Sequence, residues 1–255
     1  MFQRRYISNQ AKGDYVLSSS GNAVAPVSCL PKLKKEEVEF ILNPQINIEE
    51  KINKIISNSE LEVKLHYLKQ IGAYRDGLET VIVPARKLQA CSLHTVLEGV
   101  WQKKHNEKEE QKRRYVERRG SVPTVLNETD YIREGFAPLP KKCLPTLNES
   151  QIDWLFGKGP DDDAKIRMLE ENPALLGCLF AVKIFGACKR ENEEILDEVS
   201  NTSYDFSISS LLEKYYAKNM NKAKEKTNKL GDSFDMFNSS SLAGKGLNKG
   251  KEKED

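Results

Sequence analysis

The chain has 255 residues, of which 38% are hydrophobic and 31% charged. Average globular domains hold about 45–50% apolar residues (glycine included) and about 25% charged ones, so this composition supports a core only if part of the chain stays outside it. Forty Lys and Arg against thirty-eight Asp and Glu leave a net charge of +2, which excludes the uniform field of a histone-like or wholly acidic protein; a polyanion-binding surface here has to be local.

Residues 1–30 are rich in Ser, Gly, Asn and Ala without an apolar period and read as a flexible N-terminal arm. Arg4 and Arg5 are followed by no apolar run, so a secretory peptide is not expected; Asp14 as the lone acid leaves a mitochondrial presequence as the lesser alternative. An N-terminal helical lobe follows over 31–120. Leu33, Val38, Ile41 and Leu42 predict a first helix, closed by Asn43-Pro44 because proline pushes the preceding residue out of the α region. Ile48, Ile52, Ile55 and Ile56 form the apolar stripe of a second. Ser59 as N-cap, with Glu62 at the capping-box position and Leu61, Leu65 and Leu68 inward, opens a third that Gly72 ends. Asp76-Gly77 and residues 80–83 predict a turn and a short strand.

Leu93, Val96, Leu97, Val100 and Trp101 then recur at three and four residues, and from Gln102 to Arg114 the apolar residues stop while helix formers continue. One helix of about 28 residues, about 42 Å long, is expected. Its first third is buried and its remainder projects into solvent or onto a partner, with Arg118, Arg119 and Gly120 at its end.

Pro123, Pro138, Pro140 and Pro145 make 121–149 an extended linker or a strap across the surface. A C-terminal helical lobe follows over 150–230. Asn148 or Ser150 caps its first helix, Asp161–Asp163 start the next, and Asn172-Pro173 opens a helix running to about Val199. Ile208, Leu211, Leu212, Tyr215, Tyr216 and Met220 form a last amphipathic face, and residues 231–255 read as a disordered tail. The fold class is mainly α: two helical lobes joined by an extended Pro-containing segment, with minor β and disordered arms.

Local signatures of catalysis are missing: no GxxxxGK[ST], no GxGxxG, no HExxH and no GxSxG. Gly157-Lys158-Gly159-Pro160 is no phosphate loop, since Pro160 removes an N–H that such a loop uses. His66 and His94 sit on or beside apolar helical faces and His105 on the charged segment, as core, boundary and surface residues. Cys91 and His94 give one CxxH half-motif with no second half at zinc-finger spacing. Asp161–Asp163 point different ways round a helix and lack the Glu of an EF-hand, which favours a helix start over a cation site. No metal, no cofactor and no enzymatic activity are expected. Five scattered cysteines without a CxxC fit a reducing compartment, cytoplasmic or nuclear. The longest apolar stretch, residues 174–188, is interrupted by Lys183 and too short to span a bilayer.

Two basic segments carry the functional reading. Residues 103–119 hold eight cations (Lys103, Lys104, Lys108, Lys112, Arg113, Arg114, Arg118, Arg119) against four Glu, and residues 213–230 hold six lysines, among them Lys222, Lys224 and Lys226, against two Glu. Clustered cations gain affinity for polyphosphate by releasing counterions, guanidinium forks suit phosphate, and Tyr115 can stack on a base. The alternative is a solvated helix in which Glu109–Arg113 and Glu110–Arg114 pair at i,i+4 and the exposed face docks protein partners. Arg118-Arg119-Gly120-Ser121 resembles the recognition sequence of basophilic kinases, making Ser121 a candidate phosphorylation site. Phe234, Met236 and Phe237 form an apolar patch in the tail that a partner's groove can order. Self-association is better placed on residues 93–101 or 208–220 than on the charged half.

The general profile of two helical lobes, modest net charge, local basic surface and terminal arms resembles that of small all-α nucleoproteins of RNA viruses, a likeness carried by no motif. The expectation is a non-enzymatic, nucleoprotein-like RNA-binding protein; the alternative is a scaffold or adaptor docking proteins through its charged helix and tail.

Overall fold

Helices dominate the computed structural model, which describes residues 11–12, 15–17, 23–84, 86–133, 138–156, 161–196, 208–219 and 221–222. The fold is mainly α with small sheets. Contacts group the chain into two units, Met1–Leu211 and Leu212–Asp255.

The first unit opens with β1 (Ala11–Lys12), β2 (Tyr15–Leu17) and β3 (Ala23–Pro26), an antiparallel sheet in which buried Val16 faces buried Ala25. The arm expected over 1–30 therefore contains paired backbone; strands of two to four residues are too short to leave a period in the sequence. Helices α1 (Lys35–Leu42), α2 (Ile48–Ile56) and α3 (Ser59–Ile71) follow. Asn47 caps α2 by accepting from the Glu49 N–H, and Asn58, not Ser59, caps α3 by accepting from the Leu61 N–H. The cap is thereby displaced by one residue, Leu61 falls at the position where a capping box needs Glu or Gln, and Glu62 is released for another use. Gly72 ends α3 at φ 81°, a left-handed conformation that glycine adopts without a Cβ penalty.

β4 (Tyr74–Arg75) and β5 (Val81–Ile82) form the hairpin that the Asp76-Gly77 turn predicts, with Asp76 Oδ1 accepting from the Leu78 and Thr80 N–H groups. Next comes α4 (Arg86–Arg119), 34 residues and thus about 51 Å long, which starts earlier than its apolar stripe. Its Leu93, Val96, Leu97 and Val100 close a core built with Val38, Ile41, Ile52, Ile55, Leu61, Leu65 and Leu68. Gly99 lets α2 approach: a Cβ there would stand 2.5 Å from Ile52 Cδ1. Complete burial of each of these leucines and isoleucines stabilises by about 1.5–3 kcal/mol.

Residues 121–149 are short of helix, as their prolines require, but they are not a surface linker. α5 (Thr124–Asn127) lies against α4, and β6 (Tyr131–Arg133) pairs with β7 (Leu139–Pro140). Leu139, Cys143 and Leu144 join Ala181, Phe185 and Ala187 in a second core cluster, with Val63 and Tyr67 of α3 against it. Tyr67 sets its ring edge-on to Phe185 at 4.9 Å and donates its hydroxyl to the Cys143 carbonyl at 3.3 Å. The segment is extended because its prolines forbid a helix, yet four of its apolar side chains, Leu139, Cys143, Leu144 and Leu147, are buried.

β8 (Thr146–Leu147) leads into α6 (Glu149–Phe156), with the Asn148 side chain accepting from the Gln151 N–H, and then into α7 (Asp162–Glu171). Asp161 caps α7 by accepting from the Ala164 N–H, so the acidic triplet is a helix start. α8 (Pro173–Phe185) has Asn172 as its cap and stops at Gly186, φ 72°, instead of continuing to Val199. The chain then turns into β9 (Cys188–Arg190), parallel to β8 and antiparallel to β10 (Ile195–Leu196), because Gly186 supplies a left-handed stop that the apolar pattern alone concealed. Ile208 and Leu211 are buried at the start of a helix over 208–219.

In the second unit, Leu212, Tyr215 and Tyr216 are buried on that helix, and the two tyrosine rings meet edge to face at 5.9 Å. Met220, Gly157–Pro160 and the tail of 231–255 lie outside the described residues. No described helix is long and apolar enough to cross a membrane.

Candidate nucleic-acid interface

The inner stripe of α4 does not end at Val100; it changes chemistry. Continuing by three and four residues from Leu97 and Val100, the next inward positions are Lys104, Lys108 and Lys112, all partly buried. Long lysine stems lie along the body and their ammonium groups end on internal oxygens. Lys104 Nζ donates to Glu62 Oε2 at 2.5 Å, and the Tyr131 hydroxyl donates to Glu62 Oε1 at 2.8 Å. Glu62 is 3% exposed, so this carboxylate is one that burial would penalise heavily without two donors. Burial and the Glu62 charge push the Tyr131 phenol far above its ordinary range. Lys108 donates to the Glu128 carbonyl and lies 3.8 Å from Asp130. Lys112 pairs with Glu109 at 2.6 Å, a hydrogen bond that holds the Glu109 carboxyl below the usual carboxylate range.

Lys103 lies on the neighbouring face, where it donates to Glu49 Oε1 at 2.9 Å and Asn53 Oδ1 at 2.7 Å, both on α2. His105 stacks on Trp101 with ring centroids 5.2 Å apart. Below this point α4 is therefore held from both sides: by α2 through Lys103, and by α3 and the 128–131 segment through Lys104 and Lys108. These three lysines, nucleic-acid contacts in the sequence reading, are committed to internal oxygens. Their partners lie 20 to 54 residues away along the chain, so no local pattern reveals them.

Beyond Lys112 the surroundings change. Every residue from Arg113 to Ser121 is exposed. Arg114 pairs with Glu110, as the i,i+4 spacing predicts. Glu109 takes Lys112 instead of Arg113, so that expected pair is replaced. Arg113, Arg118 and Arg119 form no ion pair among the described residues. Tyr115, 40% exposed, and Val116, 48% exposed, stand between them as large apolar surface in solvent. Gly120, at φ 74°, ends the helix by donating its N–H to the Val116 carbonyl, and Ser121 follows in a bend. Two arginines in the last turn also complement the negative end of the helix dipole.

Of the second basic segment, Lys222 is exposed and helical in the unit Leu212–Asp255; Lys224 and Lys226 lie outside the described residues, as do Phe234, Met236 and Phe237. Elsewhere, a cleft of about 380 Å³ is bordered by Lys32, Lys64, Glu60, Asp76 and Glu79. Two of its carboxylates are pulled below their ordinary range, Glu60 by the hydrogen bond from Lys64 and Glu79 by the one from Lys32. A general acid at neutral pH needs the reverse shift. His66 is buried, and desolvation, with the charges of Lys69 and Lys104, drives it down to about 3. Among the described residues no group of three or more His, Cys, Asp or Glu is arranged to hold a metal ion.

No family model matches this chain, and neither the curated proteins nor the solved structures compared with it yield a match.

Proposed function

We propose that this protein binds RNA without catalysing a reaction, in the manner of a nucleoprotein, and that it meets the phosphate backbone through the arginine end of α4. One observation carries the reading: Lys103, Lys104, Lys108 and Lys112 are matched to internal oxygens, whereas Arg113, Arg118 and Arg119 reach solvent with no ion pair among the described residues. Planar guanidinium forks donate to phosphate in pairs, and a cation with no internal partner gives up less when it binds. Tyr115 adds an aromatic face on which an unpaired base can stack, worth about 1–3 kcal/mol. Single-stranded RNA fits this combination better than duplex, whose bases are already stacked.

The test is fluorescence anisotropy with a single-stranded RNA oligonucleotide across a salt series. Each phosphate contact on a single strand contributes about 0.7 to the slope of log affinity against log salt. The variant carrying Arg113→Glu, Arg118→Glu and Arg119→Glu then binds at least about 100-fold more weakly at 0.1 M salt, with a slope smaller by about 2. Unchanged affinity in that variant, or no binding by the parent at low salt, overturns the proposal.

A scaffold or adaptor role is the second reading, favoured by the apolar pair Tyr115 and Val116 in solvent on the same helix end. It predicts a purified protein free of nucleic acid and a discrete protein complex lost on Tyr115→Glu with Val116→Glu.

A further inference from the structure

We propose that Ser121 is a phosphoacceptor for a basophilic protein kinase and that its phosphate shuts the arginine end of α4 to RNA; the switch rests on the RNA-binding reading, the acceptor does not. The chain reads Arg118-Arg119-Gly120-Ser121-Val122, two guanidinium groups at three and two residues before the hydroxyl and an apolar residue directly after it. An acid-lined kinase cleft recognises such arginines by bidentate pairing, which requires them to be free of internal carboxylates. Arg118 and Arg119 meet that requirement: both are exposed and neither forms an ion pair among the described residues.

The backbone meets the second requirement, access. α4 stops at Arg119, Gly120 turns the chain in the left-handed region with no atom within 4 Å of where its Cβ would be, and residues 121–123 are non-helical and lead to α5. A kinase needs its substrate extended, so the last turn of α4 has to open. From Arg113 to Ser121 no residue is buried, and opening that turn breaks terminal hydrogen bonds such as Gly120 N–H to Val116 O without breaking a packed surface.

In the transfer, Ser121 Oγ attacks the γ-phosphorus of Mg·ATP while the bond to the bridging oxygen of ADP breaks. ADP leaves, and the hydroxyl proton passes to the carboxylate base of the kinase. The product carries about −1.5 to −2 charges two and three residues from Arg119 and Arg118. Its oxygens accept from these guanidinium groups intramolecularly and occupy the donors that an RNA phosphate would take. Removing two contacts at about 0.7 in slope each weakens RNA binding by about 25-fold at 0.1 M salt.

The experiment treats the full chain with Mg·ATP and a purified basophilic kinase catalytic subunit, maps phosphate by peptide mass spectrometry, and measures RNA anisotropy on modified and unmodified protein. One phosphate is expected at Ser121, absent in Ser121→Ala and at least tenfold slower in Arg118→Ala with Arg119→Ala, with unchanged helical circular dichroism in both. The phosphorylated chain binds RNA about 25-fold more weakly. No phosphate at Ser121, or equal rates with and without the arginines, overturns the acceptor. Stoichiometric phosphate with unchanged RNA affinity overturns the switch and leaves the interface standing. Absence of RNA binding by the unmodified chain overturns the interface itself, and the switch with it.

Discussion

The two stretches of α4, residues 103–112 and 113–119, hold four cations each and play opposite roles. Over residues 103–112, Lys103, Lys104 and Lys108 project toward α2, α3 and the 128–131 segment, where Glu49, Glu62 and Asp130 meet them, and Lys112 pairs with Glu109. Over residues 113–119 the same helix has left the body behind, and among the described residues the one ion pair to a guanidinium there is that of Glu110 with Arg114. Counting cations along the helix treats both stretches alike. What separates them is whether another element comes within a side chain's reach, and a cation is available to a ligand only where none does.

The contrast can be broken at its buried root. Leu97→Ala at 2% exposure removes packed side-chain volume between α4 and the body and costs about 3 kcal/mol in urea unfolding followed by circular dichroism. Val116→Ala at 48% exposure stays within about 0.5 kcal/mol of the parent. Equal losses would mean that the end of α4 packs as its root does. Glu62→Ala strands the Lys104 ammonium and the Tyr131 hydroxyl and costs about 2 kcal/mol. Lys104 is one-third exposed and regains part of that in water, whereas Glu62→Gln, which keeps an acceptor, costs less.

Acid probes the same root. His66 falls from 6.5 unfolded to about 3 folded, so between those values the unfolded chain holds the extra proton. The His66 contribution is complete above pH 6.5 and is lost as pH falls toward 3, at up to about 1.4 kcal/mol per pH unit. Urea midpoints measured from pH 7 to pH 4 should fall, and the His66→Leu variant should fall less steeply. The smallest effect sharpens the functional side: Lys103→Ala with Lys108→Ala leaves RNA affinity within about twofold of the parent, while the arginine variant loses at least about 100-fold. Lysine variants as damaging as arginine ones would move the interface to the wrong stretch of the helix.

Local chemistry made much of this architecture readable. The isoleucine stripe of α2, the Asn172-Pro173 start of α8 and the Gly72 stop of α3 each depend on side chains within a turn or two, and the structure agrees with them. The apolar pattern runs on past the end of α8 because it crosses Gly186 into β9, and a buried strand is as apolar as a buried helix. Residues 138–147 read as linker because prolines hide the period, although Leu139, Leu144 and Leu147 are buried. The spacing after Ser59 puts Glu62 at a capping-box position; its partners Lys104 and Tyr131 lie 42 and 69 residues on, beyond any local window.

By itself, the order of residues determined that this is a helical protein with a long, strongly charged helix ending in two arginines, because helix formation and amphipathic patterning depend on neighbours three and four positions away. That Lys103, Lys104 and Lys108 are not available was decided by the tertiary structure. Whether a carboxylate from a distant segment comes within a few ångströms depends on how helices pack, and at that range pairing, not composition, sets what a cation can still bind.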